Sequence, residues 1–120
     1  MCAAQYKLDH LCAVVDRNGL QISGTTDQVM STAGLKDRFA SFGWAVIDVP
    51  DGNSVSQLRD AFAQAKENKG RPTLIIANTA KGRGVSFMEN QVGWHHKIPT
   101  EEEFLRALAE LDEKGGGQDG

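Results

Sequence analysis

Apolar residues along this chain come in two spacings, and their alternation predicts the architecture. Leu11-Cys-Ala-Val-Val15 is a continuous apolar run closed by Asp16. Its β-branched residues and lack of helical spacing predict a strand buried on both faces. Asp16-Arg-Asn-Gly19 then supplies turn chemistry, and the polar stretch with Gly24, Thr25 and Thr26 reads as loop. Leu35, Phe39 and Phe42 recur at i, i+4 and i+7, one face of a short helix that Gly43 can end. Trp44-Ala-Val-Ile-Asp-Val49 is a second apolar strand, stopped by Pro50-Asp-Gly52. Ser54 and Gln57 have capping-box spacing ahead of a helix whose buried stripe reads as Val55, Leu58 and Phe62. Asn68-Lys-Gly70 and Pro72 close that helix, and Thr73-Leu-Ile-Ile-Ala77 is the third strand.

From Lys81 to Pro99 the periodicity disappears. A loop of this length inside a domain is either functional or disordered. A last helix starts at Thr100, with Glu103 at capping-box spacing and Phe104, Leu108 and Leu111 on one face beside Leu105. The fold class is therefore α/β, a parallel sheet covered by helices, with right-handed crossovers. Ligands in such sheets bind outside the carboxyl ends of the strands. Those ends are residues 16–20, 48–52 and 79–84.

Composition narrows the function. The 120 residues are 40% hydrophobic and 24% charged, ordinary values for a folded domain. A net charge of −3 argues against a broad grip on nucleic acid or an anionic membrane. No apolar run approaches the ~20 residues that span a bilayer, and Met1 to Leu11 lacks the pattern of a secretory signal. The default compartment is the cytoplasm. Two cysteines, Cys2 and Cys12, are too few for a disulfide scaffold, and Cys12, inside an apolar run, reads as a buried thiol.

Three segments could carry chemistry. In Asp16-Arg-Asn-Gly-Leu20, the Asn18 carboxamide oxygen and loop carbonyls are hard ligands suited to Mg²⁺ or Ca²⁺, and a plain Asn-Gly turn is the alternative. Lys81-Gly-Arg-Gly84 puts two cations and two glycines at a strand end, where backbone and charge can meet a phosphate; a solvated basic turn explains it equally. Trp94-His95-His96 offers imidazoles, although adjacent histidines on an extended segment point apart and make a poor metal pair. His10 has no linked motif. Glu101-Glu-Glu103 reads as helix-start carboxylates meeting the macrodipole. Asp9 and Asp27 read as solvated surface.

Together these segments are far more specific than any one alone. Leu11 to Gly24 (LCAVVDRNGLQISG), Phe42 to Ile47, Asp51-Gly52, Pro72 to Ile76, Lys81 to Asn90 and Val92 to His95 resemble the thiamine diphosphate-binding domain of transketolases, in the family's order. The last stretch looks most like the N-terminal subunit of split transketolases, whose two halves are separate chains. The resemblance implies that residues 1–114 are part of a thiamine diphosphate-binding domain, and the glycine-rich stretch 115–120 reads as a flexible tail. The resemblance also implies thiamine diphosphate with Mg²⁺ (or Ca²⁺) as cofactors. Asn18 and the Leu20 carbonyl would be metal ligands, Ile22 would pack near the thiazolium ring, and Lys81 and His95 would lie by the cofactor, with His95 catalytic. The implied reaction is transfer of a two-carbon ketol unit between sugar phosphates. The implied partner is a pyrimidine-binding domain or C-terminal subunit, in an oligomer. Related readings are dihydroxyacetone synthase, deoxyxylulose-phosphate synthase, or a non-catalytic assembly module that keeps the fold.

The chain also departs from the family pattern. It holds no Gly-Asp-Gly, whose Asp is the charged metal ligand. Ser23 stands where Asp is frequent, Asn53 where His is common, and His96 where Gly is common. The expectation is a fragment that is inactive alone, with a sheet edge and helix faces left uncovered. Each exposed apolar side chain forfeits about 1.5–3 kcal/mol of burial.

Overall fold

The three apolar runs become the three strands of one parallel sheet. In the computed structural model, which describes residues 1–115, the chain runs α1 (Cys2–Gln5), β1 (Cys12–Arg17), β2 (Leu20–Gln21), β3 (Gly24–Thr25), α2 (Thr26–Val29), α3 (Leu35–Ser41), β4 (Ala45–Val49), α4 (Val55–Glu67), β5 (Thr73–Asn78), a 3-10 turn (Val92–His95) and α5 (Glu101–Gly115). The sheet order is β1-β5-β4, with both pairings parallel. The last strand in sequence is thus the central one. It aligns Val14 with Ile75 and Ile47 with Ile75 across the sheet.

Centrality decides burial. Thr73 to Ala77 are all buried, and Ile75 is 0% exposed. On one face Val49 and Ile75 meet Ala61 and Ala65 of α4, with Ile47 and Leu58 packed against them. The alanines let the helix sit close to the sheet. Because side chains alternate between faces along a strand, Leu74 and Ile76 occupy the opposite face, and both are buried.

The edges behave differently, and several expectations need correcting. β1 is not buried on both faces: Val14 is half exposed and Cys12 is exposed, because among the described residues β1 pairs on one side only and α4 packs over β4 and β5. Burial of part of the Cys12 thiol still pushes its pKa up. In α4 the expected stripe holds only at Leu58: Val55 is 80% exposed and Phe62 is exposed, and the buried positions are Ala61 and Ala65. In α5 only Ala107 is buried among the described residues, while Phe104, Leu105, Leu108 and Leu111 are exposed. The molecule is a slab of 52 × 39 × 19 Å. Its radius of gyration is 17.3 Å, against roughly 13–14 Å for a compact domain of this length.

Local signals mostly act as read. Thr100 and Glu103 exchange both bonds of a capping box, with Lys97 Nζ 2.6 Å from Glu103. Ser54 caps Gln57 N–H, but the Gln57 side chain accepts from Asp51 N–H instead of closing the box. Asp9 is not idle surface: its Oδ2 accepts from Gly70 N–H at 2.9 Å, which holds its carboxyl below the usual carboxylate range. Gly115 is the last residue of α5; the remaining residues of the expected tail, 116–120, lie outside the described residues. Among the described residues no helix is long and apolar enough to cross a membrane.

Candidate functional site

Parallel strands bring their carboxyl ends to one edge, and side chains there tie the three ends together. Asn78, at the end of β5, is the hub. Its Oδ1 accepts from Arg17 Nη1 at 3.3 Å. Its Nδ2 donates to Asp48 Oδ1 at 2.7 Å and to the Val49 carbonyl at 2.9 Å, and its own carbonyl accepts from Gly52 N–H at 2.7 Å. One residue on, the Thr79 hydroxyl donates to the Asp16 carboxylate. These bonds fix where the chain leaves β1 and β5.

After β1 the chain folds on itself. Asn18 Oδ1 accepts from Leu20 N–H at 3.0 Å, an Asx turn, and Gly19 takes φ +73. The stretch read as plain loop contains the β2–β3 hairpin and then α2, capped reciprocally by Thr25 and Gln28. The Thr25-x-x-Gln28 spacing was the available sign of that helix start.

After β5 the long segment is ordered by short-range bonds. Asn90 N–H donates to the Lys81 carbonyl at 2.8 Å, closing the loop between them, and Val85 is buried within it. Such self-closed loops are compact units with neighbouring ends. Trp94 Nε1 donates to the Phe87 carbonyl at 3.0 Å, and the two rings pack tilted, with centroids 5.6 Å apart. Lys97 and Arg106 lie over the Trp94 and Phe87 rings respectively. This packing carries His95 back toward β2. His95 and His96 do not lie on an extended strand: the 3-10 turn sets their rings edge to face, 5.3 Å apart.

One cavity of about 290 Å³ results, lined by Asn18, Leu20, Gln21, Ile22, Lys81 and His95. Five of its six lining residues are the ones singled out from sequence. Arg83, the second cation of the glycine motif, instead pairs with Glu89 at 3.6 Å, and His96 is not among the lining residues. Gln21 was missed; its Nε2 is buried with no hydrogen-bond partner among the described residues. Nothing but its place between Leu20 and Ile22 marked it.

The donor set can be tested against the implied groups. Asn18 Oδ1 keeps a second lone pair beside its bond to Leu20 N–H, and carbonyls complete a neutral oxygen set. Mg²⁺ is held by a few protein oxygens together with phosphate and water, so these residues fit part of its octahedron. Among the described residues no cluster of three His, Cys, Asp or Glu could hold a metal alone. Lys81 supplies the positive charge a phosphate requires.

Comparison with known proteins gives one answer. Residues 1–111 match the family described as transketolase, thiamine diphosphate binding domain. The chain is 43% identical over 114 residues to an apulose-4-phosphate transketolase subunit from Phocaeicola vulgatus, covering 95% of this chain and 40% of that one. A 6-deoxy-6-sulfo-D-fructose transketolase subunit from a Clostridium species is 39% identical, with 96% and 42% covered. Among solved structures, transketolase from Campylobacter jejuni superposes with a TM-score of 0.85 at 27% identity, covering 92% of this chain and 17% of that one. The chain therefore spans about two fifths of the length of the subunits it matches.

Proposed function

Because the chain belongs to the transketolase family, within its thiamine diphosphate-binding domain, we propose that it forms the part of a transketolase site that holds the cofactor's diphosphate and metal. The supporting observation is the cavity that gathers Asn18, Leu20, Ile22, Lys81 and His95. Asn18 Oδ1 and the Leu20 carbonyl are the ligands for Mg²⁺ or Ca²⁺, and Lys81 neutralises the diphosphate. Ile22, exposed in this chain, gives the thiazolium an apolar wall. His95 hydrogen-bonds the reacting oxygens and is the catalytic residue of this half of the site. Thiamine diphosphate itself supplies the nucleophilic carbon and the electron sink for moving a two-carbon ketol unit.

The substrates in this proposal are anionic sugars, sugar phosphates first. The relatives named above act, by their names, on apulose 4-phosphate and 6-deoxy-6-sulfo-D-fructose. The partner is the pyrimidine-binding half of a two-chain transketolase. Support comes from the names of these relatives, which make each of them one subunit of a transketolase, and from the uncovered apolar stripe of α5. Among the described residues no acidic side chain lines the cavity, so the isolated chain is inactive in this reading.

A calorimetric titration with thiamine diphosphate and Mg²⁺ tests the proposal. Metal-dependent binding is expected, weakened about ten- to hundredfold by Asn18→Ala, as befits loss of a bond to a charged group. Binding indifferent to Asn18→Ala, or absent below ~1 mM, would sink it. Ketol transfer by the isolated chain would refute the claim of inactivity.

A further inference from the structure

The peptide that precedes the cavity's cation is bonded by a residue that does not line the cavity. Asn53 lies in the turn between β4 and α4, and its Oδ1 accepts from Ala80 N–H at 2.8 Å. Ala80 is the residue before Lys81, so this bond fixes the peptide from which the Lys81 side chain departs. Asn53 is itself fixed: its N–H donates to Asp51 Oδ1 at 3.0 Å. Gly52 N–H is bonded to the Asn78 carbonyl at 2.7 Å. The turn also presses directly on β5, since a Cβ at Gly52 would sit 2.8 Å from both Ala77 Cβ and Thr79 Cγ2. Asn90 N–H holds the Lys81 carbonyl from the other side. The Lys81 backbone is thus bracketed by two bonds, of which the Asn53 bond comes from outside the loop.

We infer that Asn53 is a positioning residue that sets Lys81 against the anion bound in the cavity. The inference rests on the cofactor reading above for the identity of that anion, but not for the geometry. An acceptor must stand opposite Ala80 N–H, so aspartate can replace Asn53 and alanine cannot.

The test is a double-mutant cycle on the full chain with thiamine diphosphate and Mg²⁺, alongside amide hydrogen exchange without ligand. Asn53→Ala is expected to speed exchange at Ala80 and weaken binding about three- to tenfold, the effect of one hydrogen bond. Asn53→Asp should restore both. In a Lys81→Ala background, Asn53→Ala should change affinity no further, because residues acting through one another are not additive. Additive losses, or faster Ala80 exchange with unchanged affinity, would overturn the inference by reducing Asn53 to a structural contact. If the wild type binds no thiamine diphosphate, the cofactor reading falls. The same cycle is then read with inorganic pyrophosphate as the anion: a loss in Asn53→Ala that Asn53→Asp restores and Lys81→Ala abolishes upholds the positioning, and no binding or no such loss overturns it.

Discussion

Gly82→Ala should be among the most damaging small substitutions in this chain, because two separate costs coincide there. Gly82 has φ +71, a conformation that L-residues avoid at about 1–2 kcal/mol. An added Cβ would also lie 2.6 Å from the Met88 carbonyl oxygen and 2.7 Å from its carbon. These are backbone atoms, so no rotamer change relieves the contact. Moving Met88 away drags on Asn90, whose N–H closes the loop at the Lys81 carbonyl. Overpacking of this kind costs a further ~1–3 kcal/mol, for a total of about 2–5 kcal/mol. Gly70→Ala is the control: its φ of +76 is nearly the same, but nothing lies within 4 Å of the added Cβ. It should cost only the conformational ~1–2 kcal/mol. Urea unfolding of both variants separates the terms through their midpoints. Equal midpoints would refute the claim that the Lys81 loop is closed against Met88. Lys81 directly precedes Gly82, so cofactor affinity should fall in Gly82→Ala and persist in Gly70→Ala.

Two further outcomes follow from burial and charge. Ile75→Ala, at the fully buried centre of β5, should cost about 2–5 kcal/mol, whereas Leu105→Ala on the uncovered side of α5 should cost less than ~1 kcal/mol in thermal or urea unfolding; comparable losses would mean that α5 is covered in solution. The Glu110 carboxyl is held below its ordinary 4.5, first by Ser86 N–H, then by the Ser86 hydroxyl, with Arg106 adding less. Its folded pKa is depressed, so its contribution is present above pH 4.5 and is lost as pH falls through the folded value. Wild-type urea midpoints should therefore fall more steeply on acidification than those of Glu110→Gln, and parallel pH profiles would contradict this.

What the sequence reveals of this protein divides along a physical line. Strands and caps were legible because their causes are local: β-branched runs at β4 and β5, Gly43 at φ +86 after α3, and the Thr100–Glu103 box. The convergence of Asn18 and Lys81 was legible because parallel strands put their carboxyl ends on one edge, and the resemblance added His95 to them. Burial was not legible. Val55, Phe62, Phe104 and Leu108 have the spacing of buried stripes and are exposed, because periodicity tells which way a side chain faces and not whether anything covers it. The small residues Ala61, Ala65 and Ala107 took the buried places. Gln21 escaped notice, and Asn53 was noted only as a departure from the family pattern, for another reason: what matters at each is one long-range contact, or its absence.

The same division separates what shapes the site from what stabilises the chain. At the carboxyl edge, Asn78 bonds Asp48, Thr79 bonds Asp16 and Asn53 bonds the Ala80 N–H, all within this chain. Each bond joins segments that β-pairing has already brought side by side, so little further entropy is lost in making it. Apolar burial is the dominant favourable term in folding, and here it is incomplete: among the described residues β1 pairs along one edge only, and α5 carries four exposed large apolar side chains. Covering these faces adds burial without touching a bond of the carboxyl-edge network. Association through them should therefore raise stability while leaving the geometry around Asn18 and Lys81 as it is. A cavity whose shape is set by hydrogen bonds inside one chain can be carried intact from the isolated chain into a larger assembly.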